Sequence, residues 1–193
     1  MSNSGNINFS FIHELEGFSL TGYVPDPKHS RSGVTIGAGF DIGQCSIDEL
    51  EKAFTPHLTM KLRPYTGLIK DKAERVLREK PLIITSDEAQ QITSYAARRT
   101  LHRLTKEWAQ SNAKTPFKDL PSPCATVITS LYFQYGSLSK RTPNFWRQVT
   151  TNDWRSALSN LRNFGDKYSS RRNKEADLLQ SWLDVNHSQA TRN

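Results

Sequence analysis

Three residues near the start of the chain have types and a spacing that suit acid–base chemistry. Glu16 closes an apolar segment, Asn8 to Leu15, that carries Phe9, Phe11, Ile12 and Leu15, and Gly17-Phe18 follows it. A carboxyl group in dry, apolar surroundings has its pKa raised and can stay protonated as a proton donor. Further along, Thr35 and Asp41 bracket the run Thr35-Ile36-Gly37-Ala38-Gly39-Phe40-Asp41. In a single pleated strand, alternate side chains share a face. Thr35 and Asp41 would then look the same way, with Gly37 and Gly39 leaving a bare strip between them. A proton donor facing a hydroxyl and a second carboxylate is the equipment of glycoside hydrolysis: one acid protonates the leaving oxygen, and the other group activates water or steadies the cationic centre. On local pattern alone another reading stands beside this one, with Glu16 an ordinary surface carboxylate, the glycines turn positions and Asp41 a cap.

Other chemistries have little support. There is no HExxH, and Gly37-Ala38-Gly39 lacks the third glycine and the strand–helix setting of a dinucleotide-binding turn. The five histidines (His13, His29, His57, His102, His187) are scattered, so neither a metal nor any other cofactor is expected. Cys45 and Cys124 match no zinc spacing, and two free, buried thiols are expected rather than a disulfide. A net charge of +7 favours polyanions, and nucleic acid and carboxylate-rich peptidoglycan fit it equally well. The aromatics fall at core spacing, which argues against a nucleic-acid-binding module. No apolar run approaches the roughly 18 residues of a membrane span, so no membrane insertion is expected. Met1 to Asn8 lack the basic and apolar regions of a secretory signal, so synthesis in the cytoplasm and another route outward are expected.

The elements that must hold these residues read as mostly helical. A helix of about two turns over Asn8 to Leu15 stops at Gly17. The segment from Ser19 to Gly39 reads as a hairpin or small sheet with a polar loop from Asp26 to Ser32. Ser46 with Glu49, and Thr85 with Glu88, are capping-box patterns that open helices to about Phe54 and Trp108. Pro56 and Pro64 break the chain between them, and Gly67 to Arg78 is a weakly amphipathic helix. Ser122, between Pro121 and Pro123, caps an almost wholly apolar helix from Ala125 to Tyr135, which must be the core helix, and Gly136 ends it. Thr142-Pro143 opens a short helix, Thr151 or Asn152 caps another, and Ser169 or Ser170 starts the last, with Ala176, Leu179 and Leu183 inward. The expected fold is a single mostly α, α+β domain over 1–193. It comprises a small lobe over about 9–55, a helical lobe over about 56–185, a ligand cleft between them and a flexible tail over 186–193.

The stretches FIHELEGFSLTGYVPD and GVTIGAGFDIG resemble the phage-type lysozyme superfamily, which carries a Glu-Gly pair, a Tyr a few residues on, and a TIGxG strand. The loop before Thr35 and the Asp six residues after it are most similar to the pesticin-type branch of bacteriocin and secreted-effector muramidases. VITSLYFQYGSLSK resembles the family's buried SLxFNxG helix, and RRNKEADLL its Arg-Arg-x-x-Glu stretch. The resemblance implies a lysozyme-like fold and cleavage of the β-1,4 bond between N-acetylmuramic acid and N-acetylglucosamine in peptidoglycan. Glu16 would be the general acid, Thr35 the residue positioning water and Asp41 the catalytic aspartate. Asp26, three residues after Tyr23, is the rival second carboxylate. Tyr23, Gly37, Gly39 and Gln134 would contact substrate, with a structural role for Gln134 the other reading. Phe40 replaces a common histidine, and Gln134 a common asparagine. A monomer, acting as an antibacterial effector, toxin or phage endolysin on periplasmic peptidoglycan and met there by a cognate immunity protein, completes the expectation. A lytic transglycosylase and a non-catalytic wall-binding domain are the alternatives.

Overall fold

The computed structural model describes residues 6–26 and 31–190; part of the loop expected at 26–32, and the last residues of the expected tail, lie outside them. The fold is mostly helical α+β, with one three-stranded antiparallel sheet among the described residues. The chain forms two compact units, residues 16–98 and residues 1–15 with 99–193.

Helix α1 (Phe9–Glu16) begins where Asn8 Oδ1 accepts from the Phe11 N–H at 3.1 Å and stops at Gly17, whose φ of +71° is left-handed. Ile12 on it is fully buried and joins the core of the larger unit.

In the unit formed by residues 16–98, β1 (Ser19–Tyr23) pairs with β2 (Thr35–Gly37), which pairs with β3 (Phe40–Asp41). Residues 82–84 extend the sheet beyond β1, with Ile84 N–H donating to Leu20 O at 2.9 Å and Gly22 N–H to Leu82 O at 2.8 Å. Ser46 Oγ caps α2 (Ile47–Ala53) by accepting from Glu49 N–H at 3.1 Å, as its spacing implied. The break expected at Pro56 is instead a beginning: α3 (Pro56–Leu62) starts there, because proline lacks only an N–H that a first turn leaves unused. Pro64 sits in a 3-10 turn, Arg63–Tyr65. Helix α4 runs over Lys70–Glu79, three residues later than the sequence suggested. Ahead of α5 (Ser86–Ala109) the Thr85–Glu88 capping box is complete: Glu88 N–H donates to Thr85 Oγ1 at 3.2 Å, and Thr85 N–H to Glu88 Oε2 at 2.8 Å. Val34, Ile36, Leu50, Leu58, Leu62 and Ile92 are fully buried in this unit's core, and Phe40, Phe54 and Tyr95 meet edge to face at 5.1–6.0 Å.

The other unit is organised around α6 (Ser122–Tyr135), buried at every position from Cys124 to Tyr132, as a mostly apolar, uncharged helix should be, with the buried hydroxyls of Thr129 and Ser130 bonded to Ala125 O and Glu175. Pro121, not Ser122, occupies its cap position, and Gly136 ends it at φ +69°. Around it lie α7 (Leu138–Arg141), α8 (Pro143–Thr150), α9 (Trp154–Arg162) and α10 (Ser169–Ala190). The cap of α9 is Asp153, accepting from Ser156 N–H at 3.2 Å, and neither Thr151 nor Asn152; Asn152 makes the preceding turn at φ +60°. Ala176 and Leu179 face inward on α10 and Leu183 is half-buried, but the helix runs on to Ala190 where fraying was expected from 186. Trp108 packs edge to face on Phe117 and Trp146. Cys45 and Cys124 are free and buried, and burial pushes the Cys124 thiol up to about 12. No helix among the described residues is long and apolar enough to cross a membrane.

Because Leu131 is fully buried at the centre of α6, Leu131→Ala should lower the unfolding free energy by about 2–5 kcal/mol. Urea denaturation followed by circular dichroism measures it.

Candidate functional site

Residues 16–98 hold Glu16, Tyr23, Asp26, Thr35, Gly37, Gly39 and Asp41, every candidate except Gln134. Glu16 is the last residue of α1, so its side chain leaves the helix where the backbone turns toward β1. Its Oε2 lies 4.0 Å from where a Cβ on Gly39 would sit, which brings the carboxyl group to the turn of the TIGAG segment. Tyr23 shares this neighbourhood: partial burial and, secondarily, the negative charge of Glu16 push its phenol pKa up, so it remains a neutral hydrogen-bond donor.

The run from Thr35 to Asp41 is not the single strand that alternation suggested. Gly37 and Gly39 have φ of +62° and +89°, outside the β region, and the chain reverses between them. β2 and β3 therefore form a tight hairpin in which Thr35 is the cross-strand partner of Asp41, while on the other side Tyr23 is the partner of Thr35. Directly opposed residues of antiparallel strands project to the same face. Tyr23, Thr35 and Asp41 thus form one row across three strands, and Ile36 with its partner Phe40 fills the core on the opposite face. Thr35 and Asp41 do share a face, but through pairing rather than through pleat. The bare strip shrinks to Gly39, which is exposed; Gly37 is buried, with Ile92 Cγ2 3.9 Å from its Cβ position.

Asp41 is held by its surroundings. Gly33 N–H donates to both of its carboxylate oxygens, at 3.0 and 3.2 Å, and Gly43 N–H donates to Oδ1 at 2.9 Å, capping the 3-10 turn Ile42–Gln44. The two donors come together because Gly33 and Gly43 lie back to back. A Cβ on either would fall 2.3 Å from Leu68 O, and one on Gly33 only 2.5 Å from Gly43 Cα. Burial raises the Asp41 pKa, and the hydrogen bonds from Gly33, Gly43 and Gln44 offset only part of that rise. Thr35 is 3 % exposed and donates its hydroxyl to Gly33 O at 3.3 Å, leaving its oxygen lone pairs as acceptors. Asp26 is exposed, at φ +40°, beyond the end of β1 and outside the Tyr23–Thr35–Asp41 row. The sequence reading missed Gly43 and the part played by Gly33. The Asp-x-Gly spacing at 41–43 was a legible cap signal, whereas nothing local marks Gly33 as a neighbour of Leu68.

Gln134, on α6 in the other unit, has its carbonyl oxygen held by Arg172 Nη2. Arg172 is 1 % exposed and also bonds Glu175 and, through Nε at 2.9 Å, Asp166. Its guanidinium lies over Phe164 and Tyr135, at 4.8 and 5.4 Å from the ring centroids. Burial opposes the charge on Arg172, and Glu175, Tyr135 and Asp166 together outweigh that and raise its pKa. Arg171 Nε reaches the same Glu175 at 3.2 Å. The Arg-Arg-x-x-Glu stretch is therefore a buried ion cluster, and the Gln134 amide is part of it. No group of histidine, cysteine, aspartate and glutamate side chains among the described residues is arranged to hold a metal.

A family model described as "Pesticin: Bacterial toxin homologue of phage lysozyme, C-term" matches residues 6–155. No curated protein matches the chain.

Folding raises the Asp41 pKa, so the folded chain binds that proton more tightly than the unfolded chain does. The group favours folding at low pH, and that contribution fades as pH rises from the ordinary carboxylate pKa, about 4, through the raised value. The unfolding free energy of the native chain minus that of Asp41→Asn should therefore fall with rising pH in urea titrations. A difference that grows with pH would mean the backbone donors outweigh burial.

Proposed function

We propose a function from one premise: the chain belongs to the pesticin family, the bacterial toxin homologues of phage lysozyme. That family is one of lysozyme-like cell-wall hydrolases, and its substrate is peptidoglycan. Our reading is that this chain is a muramidase, hydrolysing the β-1,4 bond between N-acetylmuramic acid and N-acetylglucosamine. The observation that carries it is the Glu16 carboxyl group beside the exposed Gly39 turn of the hairpin that aligns Tyr23, Thr35 and Asp41.

In this reading Glu16, in its protonated form, donates to the glycosidic oxygen and the bond to the anomeric carbon breaks. A water molecule donates one hydrogen to Thr35 Oγ1, whose own proton is engaged by Gly33 O, and loses another to Asp41. The longer of the Asp41 contacts, at 3.2 Å, is to Oδ2, which makes that oxygen the better placed to accept it. Burial makes Asp41 a stronger base than a solvated aspartate. Water then attacks from the face opposite the leaving group, a single displacement with inversion. Asp26 is the competing base. Tyr23 and Gly39 would touch the glycan. The site of action would be periplasmic peptidoglycan, reached by phage release, a secretion apparatus or a toxin carrier, and a host using the protein as an effector would need a cognate inhibitor there.

Glu16→Gln should reduce release of reducing ends from purified sacculi at least about 100-fold, with an unchanged circular dichroism spectrum. Undiminished activity would remove Glu16 from the mechanism. If Asp41 is the base, Asp41→Asn should cost about as much and Asp26→Asn should stay within a few-fold of the native chain. The acid limb of the native kcat/KM profile should then lie above the ordinary carboxylate range. Release of 1,6-anhydro products instead of reducing ends would make the enzyme a lytic transglycosylase, and binding without cleavage would leave a wall-binding domain.

A further inference from the structure

One face of α5 carries polar side chains that the hydrolytic reading does not use. Asp87, Gln91, Ser94 and Arg98 recur at steps of four, three and four residues, so they form one stripe along the helix, and Gln90 lies beside it. All five are exposed, and none makes a side-chain hydrogen bond or ion pair with another of the described residues. With Ala53, the last residue of α2, they line a cavity of about 280 Å³ that lies wholly within residues 16–98. The wall is firm. Tyr95 on α5 donates its hydroxyl to Glu49 Oε1 on α2 at 2.7 Å and packs edge to face on Phe54 at 5.1 Å.

The lining decides the class of ligand. Its one acidic group, Asp87, and its one basic group, Arg98, are about 16 Å apart along a helix that rises 1.5 Å per residue, too far to neutralise each other. Residues 16–98 as a whole carry eleven basic and eleven acidic side chains, so this unit has no net field to gather a polyanion. Ala53 is the one apolar residue of the lining, so an apolar ligand gains little there. Between the two charges lie two carboxamides and a hydroxyl, and each carboxamide offers both donors and an acceptor. A neutral ligand with donors and acceptors repeated along its length matches this stripe. A chain of acetamido sugars is such a ligand. Its N–H and C=O groups pair with a carboxamide in both directions, and its hydroxyls pair with Ser94, Asp87 and Arg98.

We propose that this trough is a second glycan-binding site, taking a β-1,4 chain of N-acetylated sugars, with Gln90 and Gln91 on the acetamido groups and Asp87, Ser94 and Arg98 on hydroxyls. The choice of an N-acetylated wall glycan rests on the muramidase reading. The trough contains none of the residues that act on the bond in that reading, but the core joins it to them. Phe54 and Tyr95, next in sequence to Ala53 and Ser94, both pack on Phe40 of the β2–β3 hairpin, at 5.9 and 6.0 Å. A wall strand held in the trough keeps this unit on its polymer between cleavages.

The test is a titration of the full chain, labelled with nitrogen-15, with the soluble β-1,4 tetramer of N-acetylglucosamine. Saturable shifts of the Gln90 and Gln91 side-chain amides are expected, and the exposed amide of Gln110, just past the end of α5, should stay still. Gln91→Ala puts a good helix former on an exposed face and keeps the fold. The affinity read at the Gln90 amide should then drop about fivefold, the loss of one neutral hydrogen bond. The proposal is overturned if those amides do not shift at millimolar tetramer, or if Gln91→Ala binds as tightly as the native chain. It is also overturned if inorganic phosphate, or the β-1,4 glucose tetramer, which lacks acetamido groups, produces the same shifts with equal affinity. The titration requires no bond cleavage. A chain that digests sacculi without these shifts is a muramidase lacking the second site, and one that shows them but leaves sacculi intact keeps the site and loses the glycosidase reading.

Discussion

The carboxylate of Asp41 is pinned between the N–H groups of Gly33 and Gly43, and the arrangement of residues 16–98 around the candidate site depends on it. Two stretches of backbone approach so closely there that neither position has room for a Cβ. The contact ties the start of β2 to the turn after β3, and so sets the register that places Thr35 opposite Asp41. Burial works against the charge on this carboxylate while three neighbours donate to it. The same group that closes the hairpin is thereby left more basic than a solvated aspartate, which is what a general base needs. Support of the hairpin and activation of water are compatible functions for one side chain, because an ionised carboxylate has about four acceptor sites and the backbone does not occupy all of them.

The two units use ionisable groups differently. Around the hairpin, polar side chains gather on one face and an apolar core lies on the other. In the unit containing α6, a buried arginine is compensated from all sides, by Glu175, Asp166 and the Gln134 oxygen, and lies between two aromatic rings. Removing one partner of such a cluster would leave an uncompensated buried charge, whose cost exceeds what the intact cluster contributes to stability. The cluster also fixes side chains that have outward faces. Arg172 holds the amide of Gln134 in one orientation and lies over the ring of Phe164.

Much of the fold was legible from residue types because its signals are local. Glycine after Glu16, the Ser46–Glu49 and Thr85–Glu88 spacings and the largely apolar, uncharged character of 124–132 each depend on neighbours within a few residues, and each element formed where its signal lay. The misreadings were also local in origin. Pro56 reads as a break because proline both ends and begins helices. Asp153 and Asn152 are adjacent residues that can each cap or turn, and the choice between them depends on which one the chain needs at positive φ.

By itself the amino-acid sequence determined the mostly helical class, the core helix, the end of α1 at Glu16 and the motif pairing of a Glu-Gly step with a TIGxG segment, since these follow from short-range pattern and from resemblance. Tertiary structure alone decided how the motif is used. It folded the expected strand into a hairpin, converted an alternation into a cross-strand row, buried Gly37 while leaving Gly39 open, and set Gly33 against Leu68 and Gly43. These are contacts between segments far apart in the chain or across a turn, and their energies depend on which backbone groups become buried together, a quantity no short window of residues contains.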